Sequence, residues 1–148
     1  QLVLNQAIEN FSNVSIKKSL DVKDFDISFA KGLSLEDGCA TLTNFTAYLI
    51  SEGIKLFNKK NGNIISKYLI CGGGRKNNFL LENIKDYLND NNNIDIELID
   101  SYNIDGDYVE SQAFAFLAIR SFLKLPISFP ETTGCKKSCH GGVIVKNY

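Results

Sequence analysis

The stretch YLICGGGRKNNFLLENI, residues 68–84, places three consecutive glycines between an apolar run and a segment with helical periodicity. The run KYLIC at 67–71 lacks polar alternation, which favours a strand covered on both faces of a parallel α/β sheet. Asn77 or Asn78 can cap the helix that follows. The apolar face of that helix comprises Leu80 or Leu81, Ile84 and Leu88. This part of the chain is therefore predicted to be a strand, a glycine turn and a helix.

A second strand is predicted at 94–99, where IDIELI alternates apolar and acidic residues. Because a helix separates the two strands, the connection rules predict that they pair in parallel. The predicted core is thus strand–helix–strand.

Helices are also predicted on both sides of this core. Near the amino terminus, Leu4, Ile8 and Phe11 recur at helical spacing. A longer helix is predicted from a capping box at Ser34 and Asp37 to about Asn58–Gly62. Its predicted apolar stripe comprises Leu42, Phe45, Leu49, Ile50, Ile54 and Phe57.

Downstream, Asp107 and Glu110 have the spacing of a capping box for a further helix, which Pro126 closes. The tail after Ile127 is predicted to be mainly loop.

Glycines between a strand and a helix occupy the position where α/β sheets bind ligands. Without Cβ atoms the backbone of Gly72, Gly73 and Gly74 can approach a ligand closely, and a helix start offers N–H groups to an anion such as phosphate. The spacing satisfies neither GxGxxG nor GxxxxGK[ST]. A tight structural turn is therefore an equal alternative on these residues alone.

Composition limits the classes of partner. The net charge of −1 gives no sign of a basic face for nucleic acid, and no apolar run reaches the length of a membrane span. The four cysteines lack disulfide-framework spacing, which favours a reducing, cytoplasmic setting. The chain contains no Met, so we expect it to be a piece of a longer protein.

The cysteines do not form a recognisable metal motif. Cys135, Cys139 and His140 lie close in sequence, but zinc requires four ligands with paired short spacings, and Cys39 and Cys71 fall in unrelated elements. We therefore predict no metal site made by cysteines. Cys71 is expected to be a small buried residue rather than a nucleophile.

Three motifs together resemble the anhydro-N-acetylmuramic acid kinase family. CGGGRKNNFLLENI (71–84) resembles the family's Cys-Gly-Gly-Gly, two residues, Asn and a Leu-rich helix. DSYNIDGDYVESQAFAFLAIR (100–120) is similar to Asp-x-x-Gly-Ile-x-Gly-Asp-x-x-Glu-Ala-x-Ala-Phe-Ala-x-Leu-Ala-x-Arg, and LPISFPETTG (125–134) to Leu-Pro-x-x-x-Pro-x-x-Thr-Gly. At 20–22, Leu-Asp-Val replaces the Thr-Gly-Arg expected after Lys18 and Ser19, and this departure leaves the role of that segment open.

The resemblance implies a two-domain protein with ribonuclease H-like, actin-like ATPase domains. Residues 1–148 would be the C-terminal portion, without the N-terminal domain and the first strands of the second domain. The implied enzyme uses ATP and Mg²⁺ to open 1,6-anhydro-N-acetylmuramic acid hydrolytically and to phosphorylate O6. The product, N-acetylmuramic acid 6-phosphate, belongs to cell-wall recycling.

For this chain the resemblance implies nucleotide contacts from Gly72, Gly73, Gly74 and Asn77, and a substrate contact from Glu110, for which the capping role is an equal alternative. It implies no catalytic base here, so the isolated chain is expected to be inactive, and it implies a cytoplasmic homodimer. The alternative function is a non-catalytic remnant of the same fold with weak or no nucleotide binding. A third, weaker alternative is an unrelated Rossmann-like enzyme, disfavoured because the glycines lack a GxGxxG frame.

Overall fold

A computed structural model describes residues 2–12, 24–62, 65–89 and 94–145. These residues fall into two compact units, each described by itself: the first unit lies within 2–12 and 25–107, and the second unit comprises 24 and 108–145. The segment at 17–22, with its departure from the family pattern, lies outside the described residues. No helix among the described residues has both the length and the apolarity to cross a membrane.

The first unit is an α/β arrangement around a small parallel sheet. Its helices are α1 (Leu2–Ser12), α2 (Leu35–Asn61) and α3 (Asn78–Leu88), and its strands are β1 (Lys67–Ile70) and β2 (Asp95–Leu98). The two strands pair in parallel, with Lys67 opposite Asp95 and Ile70 opposite Leu98, and α3 connects them. The predicted strand–helix–strand core is confirmed.

The predicted helix ends are also confirmed for α2. The Ser34 side chain accepts a hydrogen bond from the backbone N–H of Asp37, and Gly62 ends the helix in the left-handed conformation. This is the polar cap and glycine stop that the sequence predicts.

The buried face of α2 differs in part from the predicted stripe. Phe45 packs with Leu4 and Ala7 of α1, but Phe57 is 49% exposed. Instead Ala47 and Ser51 are fully buried, and Ser51 Oγ donates to the Ala47 carbonyl at 2.8 Å. Apolar periodicity missed this face because its small residues carry little hydrophobic signal.

The main core lies between α2, α3 and the sheet. Its buried members are Ala47, Ile84, Leu88 and Ile96. Ile84 and Leu88 lie on the predicted apolar face of α3, and Ile96 lies on the inner face of β2.

The expectation that β1 is covered on both faces is wrong for the described chain. Its side chains alternate between exposed and half-buried, and Leu69 on the outer face is 43% exposed. The continuous apolar run therefore did not reveal that only one face of β1 contacts the core.

The second unit contains α4 (Val109–Phe122) and the short α5 (Pro130–Thr133). The predicted capping box at the start of α4 is wrong: Tyr108 occupies the cap position and no side chain caps the helix. After α4 the chain turns back, Arg120 Nε donates to the Pro126 carbonyl at 2.7 Å, and Ser128 pairs with Cys139 in an antiparallel bridge.

Candidate functional site

The glycine turn follows β1 directly at the carboxyl end of the sheet. Gly72 has φ 79° and ψ 177°, a conformation that is essentially restricted to glycine. A 3-10 turn from Gly73 to Lys76 comes next. The backbone therefore requires glycine at Gly72, whatever else the turn does.

At Gly73 and Gly74 the backbone conformation does not require a glycine. A Cβ atom added to Gly73 would meet no heavy atom within 4 Å, and one added to Gly74 would lie 3.5 Å from Leu80 Cδ2, an ordinary contact. Neither residue has a positive φ. Within the described chain nothing demands a glycine at Gly73, so its absent side chain leaves the backbone open to an external group.

Asn77, one of the two residues predicted as the cap, caps α3. Its side-chain oxygen accepts a hydrogen bond from the backbone N–H of Leu80 at 3.1 Å, and its own N–H donates to the carbonyl of Gly74 at 3.1 Å. The side chain of Asn77 therefore fixes the start of α3 directly beside the glycine turn.

The glycine turn is joined to the loop that follows β2. The N–H of Gly72 donates to the carbonyl of Gly106 at 3.0 Å. The N–H of Gly106 in turn points to Asp100 Oδ1 at 3.4 Å. In a parallel pair the carboxyl ends of both strands meet at one edge of the sheet, which brings these two loops together.

Arg75 holds both loops and was missed by the sequence reasoning. Its side chain is only 7% exposed. Nε and Nη2 donate to the two oxygens of Asp100 at 2.8 and 3.1 Å, and Nη1 donates to Asp107 Oδ1 at 2.6 Å and to the Gly72 carbonyl at 3.1 Å. A Cβ on Gly106 would lie 2.5 Å from Arg75 Nε, so the close approach needs glycine there.

A signal for this cluster was present in the sequence. Arg75 directly follows the glycines after β1, and Asp100, Asp105 and Asp107 follow β2. Because parallel strands end at the same edge, opposite charges in their two loops are placed to meet.

The carboxylates of Asp107 and Asp100 are held ionised, because their pKa values are lowered. Hydrogen bonds from Arg75 and Lys76 lower the pKa of Asp107 to about 2, and the Arg75 guanidinium also lowers the pKa of Asp100. Asp107 and Asp100 in turn raise the pKa of Arg75 further above its usual range, Asp100 contributing most. Asp107 therefore belongs to an ion-pair cluster rather than to a helix cap.

Glu110 lies in the first turn of α4, in the second unit, and its side chain is exposed. It takes part in no capping interaction at the start of α4. The structure thus brings Gly72, Gly73, Gly74 and Asn77 together in one turn, while Glu110 belongs to the other unit. The capping alternative for Glu110 is not supported.

Cys71 is exposed, which corrects the expectation of a small buried residue. In the second unit, Cys135 Sγ lies 3.8 Å from Ser128 Oγ. Within the parts of the chain that the structure describes, no group of three or more His, Cys, Asp and Glu side chains is arranged to hold a metal ion.

Comparison with known proteins identifies the family. The family model described as anhydro-N-acetylmuramic acid kinase matches residues 8–147. The chain is 53% identical to the anhydro-N-acetylmuramic acid kinase of Pelagibacter ubique over 150 residues, which cover 100% of this chain and 40% of the relative. It is 39% identical to the enzyme of that name from Zymomonas mobilis over 86% of this chain, and 38% identical to that from Rhizobium rhizogenes over 89%.

These alignments show how much of a family member is present. The chain spans 40% of the length of the Pelagibacter relative and 33% of the other two. The glycine turn and the Asp100–Arg120 motif both lie inside the matched region. The chain therefore belongs to the anhydro-N-acetylmuramic acid kinase family.

Proposed function

We propose that this chain is the C-terminal portion of a two-domain, ATP-dependent kinase of the actin-like ATPase fold. The proposed reaction opens 1,6-anhydro-N-acetylmuramic acid: water attacks the anomeric carbon while O6 takes the γ-phosphoryl group, giving N-acetylmuramic acid 6-phosphate. Support comes from family membership and from the name of the Pelagibacter relative, whose alignment covers the whole chain. The parallel strand–helix–strand core is compatible with the proposed fold.

The nucleotide is proposed to lie against the glycine turn. The observation that carries this assignment is the open space over Gly73, where neither backbone conformation nor internal packing calls for a glycine. A ligand that approaches the backbone there supplies the missing reason. Gly72 and Gly74 complete the surface, and Asn77 holds the adjoining helix start in place.

ATP and Mg²⁺ are the proposed cosubstrate and ion. The carboxylates of Asp100 and Asp107 beside the glycine turn accept hydrogen bonds from Arg75. Among the described residues no group of three or more His, Cys, Asp and Glu side chains is arranged to hold a metal ion, so we assign none of them to Mg²⁺. The proposed part of the described residues is to bind and orient the nucleotide.

Glu110 is proposed to contact the sugar. A carboxylate accepts hydrogen bonds from hydroxyl groups, and the side chain of Glu110 is exposed and takes no part in capping α4. Its substitution by Gln keeps the shape and removes the charge, so it should weaken sugar binding more than ATP binding.

The remaining elements of the proposal rest on the resemblance to the family. The chain would contribute no catalytic base, so the isolated chain would not turn over. The whole protein would act in the cytoplasm, where ATP is available, and would form a homodimer. Exposed phenylalanines on α4 (Phe114, Phe116 and Phe122) are candidates for burial against the rest of the protein or a second copy.

The first test uses the full-length protein of which this chain is proposed to be the C-terminal part. With ATP and the anhydrosugar, mass spectrometry should find a product heavier than the sugar by one water and one phosphoryl group. Gly73→Val should abolish ATP binding while leaving the melting temperature close to that of the wild type, because a Cβ atom at this position meets no heavy atom within 4 Å.

The control is Lys67→Ala, at the opposite end of β1, which should keep both ATP binding and turnover. A wild-type protein that is folded but neither binds ATP nor forms the product would refute the kinase assignment and favour the non-catalytic alternative. Turnover by the isolated 148-residue chain would refute the proposed absence of a catalytic base.

A further inference from the structure

Arg75 follows the three glycines directly and, by position alone, could be taken for a phosphate-binding cation. The structure gives its guanidinium other partners. Four hydrogen bonds use Nε, Nη1 and Nη2, and their acceptors are Asp100, Asp107 and Gly72. The side chain is 7% exposed. Its charge is therefore already neutralised inside the protein.

The partners of Arg75 lie in both loops at the carboxyl edge of the sheet. Gly72 belongs to the turn after β1, whereas Asp100 and Asp107 belong to the segment after β2. A backbone hydrogen bond from the Gly72 N–H to the Gly106 carbonyl joins the two loops. The guanidinium packs against Gly106, where a Cβ atom would have no room.

The bond from Arg75 to the Gly72 carbonyl bears on the conformation of the turn. Gly72 has the positive φ that sets the direction of the chain into Gly73. Its N–H is held by Gly106 and its carbonyl is held by Arg75. The two peptide units on either side of the Gly72 Cα are thus each held by one hydrogen-bonding group, the N–H by Gly106 and the carbonyl by Arg75.

We infer that Arg75 is a positioning residue, which sets the nucleotide-binding conformation of the glycine turn by clamping it to the β2 loop, and that it is not a phosphate ligand. This inference rests on the proposed nucleotide site at Gly72–Gly74. The ligand class is a nucleoside triphosphate, recognised here through backbone rather than through the Arg75 charge.

The test measures ATP kinetics and amide exchange in the full-length protein. Arg75→Ala should raise the KM for ATP by about tenfold or more while kcat stays within about threefold, because the binding surface is displaced and the reacting groups are not removed. Exchange of the Gly72 amide should speed up by about tenfold or more. Simple loss of folded protein would instead lower the apparent kcat and leave KM unchanged.

Asp100→Asn separates the clamp from a phosphate ligand. If Arg75 acts as a clamp, Asp100→Asn raises the KM for ATP, as Arg75→Ala does. The double variant Arg75→Ala/Asp100→Asn then has a KM no higher than that of Arg75→Ala alone. A phosphate-binding arginine predicts the opposite, because the guanidinium released from Asp100 would bind ATP equally well or better. That second result would overturn the inference.

Further variants keep the test decisive. Arg75→Lys retains the charge but cannot form the paired bonds to Asp100, so it should not restore the wild-type KM. If Arg75→Ala does not fold, the lysine variant replaces it. Lys67→Ala, which removes an exposed ion pair with Glu97 on the same two strands, is the matched control and should leave Gly72 exchange unchanged.

The proposed function and the inference fail in different ways. A wild-type protein that does not bind ATP would refute the nucleotide site, and unchanged Gly72 exchange in Arg75→Ala would refute the clamp by itself. If Arg75→Ala alters the exchange of the Gly72 amide but leaves the KM for ATP unchanged, Arg75 has only a structural role and the inference is overturned.

Discussion

The N–H of Gly72 donates a hydrogen bond to the carbonyl oxygen of Gly106 at 3.0 Å, joining the turn after β1 to the loop after β2. The two glycines are required for different reasons. Gly72 has a backbone conformation that other residues avoid, whereas Gly106 leaves room for the Arg75 side chain. This difference yields separate predictions for the glycines of the site.

Gly72→Ala should destabilise the protein, whereas Gly73→Ala should not. A residue with a Cβ atom at the φ and ψ of Gly72 is strained by about 1–3 kcal/mol. At Gly73 the added methyl group meets open space, so the change should stay within about 0.5 kcal/mol. Urea denaturation of the two variants measures both effects, and equal losses at the two positions would contradict the assignment.

Gly106→Ala should break the contact between Arg75 and the β2 loop. The new methyl group would lie 2.5 Å from Arg75 Nε, so the guanidinium must move away from Asp100. We expect a loss of about 1–3 kcal/mol in the free energy of unfolding, since the buried guanidinium of Arg75 loses hydrogen bonds. The stability loss from Gly106→Ala should shrink in an Arg75→Ala background, because the clash is then absent.

Asp107 should contribute to stability at neutral pH and lose that contribution in acid. Its folded-state pKa of about 2 lies below the ordinary 3.8, since Arg75 and Lys76 donate hydrogen bonds to the carboxylate. The stabilisation is complete above pH 3.8 and is lost as the pH falls towards 2.

Asp107→Asn should therefore lower the urea midpoint at pH 7 and reduce its dependence on pH between about 4 and 2. Glu131→Gln, at the start of α5 in the second unit, serves as the control carboxylate change. If the acid dependence of Asp107→Asn matched that of the wild type, the ion pair with Arg75 would make no contribution.

Ile84→Ala should be the most damaging truncation in α3. Ile84 is 1% exposed and lies in the core with Ala47 and Ile96, so the loss should be about 2–5 kcal/mol. Phe79→Ala in the same helix is the control, because Phe79 is 45% exposed, and we expect it to cost less than about 1 kcal/mol. A similar loss from both variants would contradict this packing of α3.

The order of elements was predictable because each signal is local. The apolar run, the three glycines and Asn77 predicted the first strand, its turn and the cap of α3 from neighbouring residues. Parallel pairing followed from the helix between the strands. The same reasoning failed for the buried face of α2, because the small residues Ala47 and Ser51 form that face and give no apolar signal.

The sequence by itself determined that this chain has a strand–turn–helix–strand core with a glycine turn, and its motifs pointed to the kinase family that the comparisons establish. Only the tertiary structure decided that Asp107 pairs with Arg75 instead of capping α4, and that Gly106 makes room for that pair. The physical reason is that caps and turns are formed by residues a few positions apart. Arg75 and Asp107, 32 positions apart, meet only when the two parallel strands bring their carboxyl ends together.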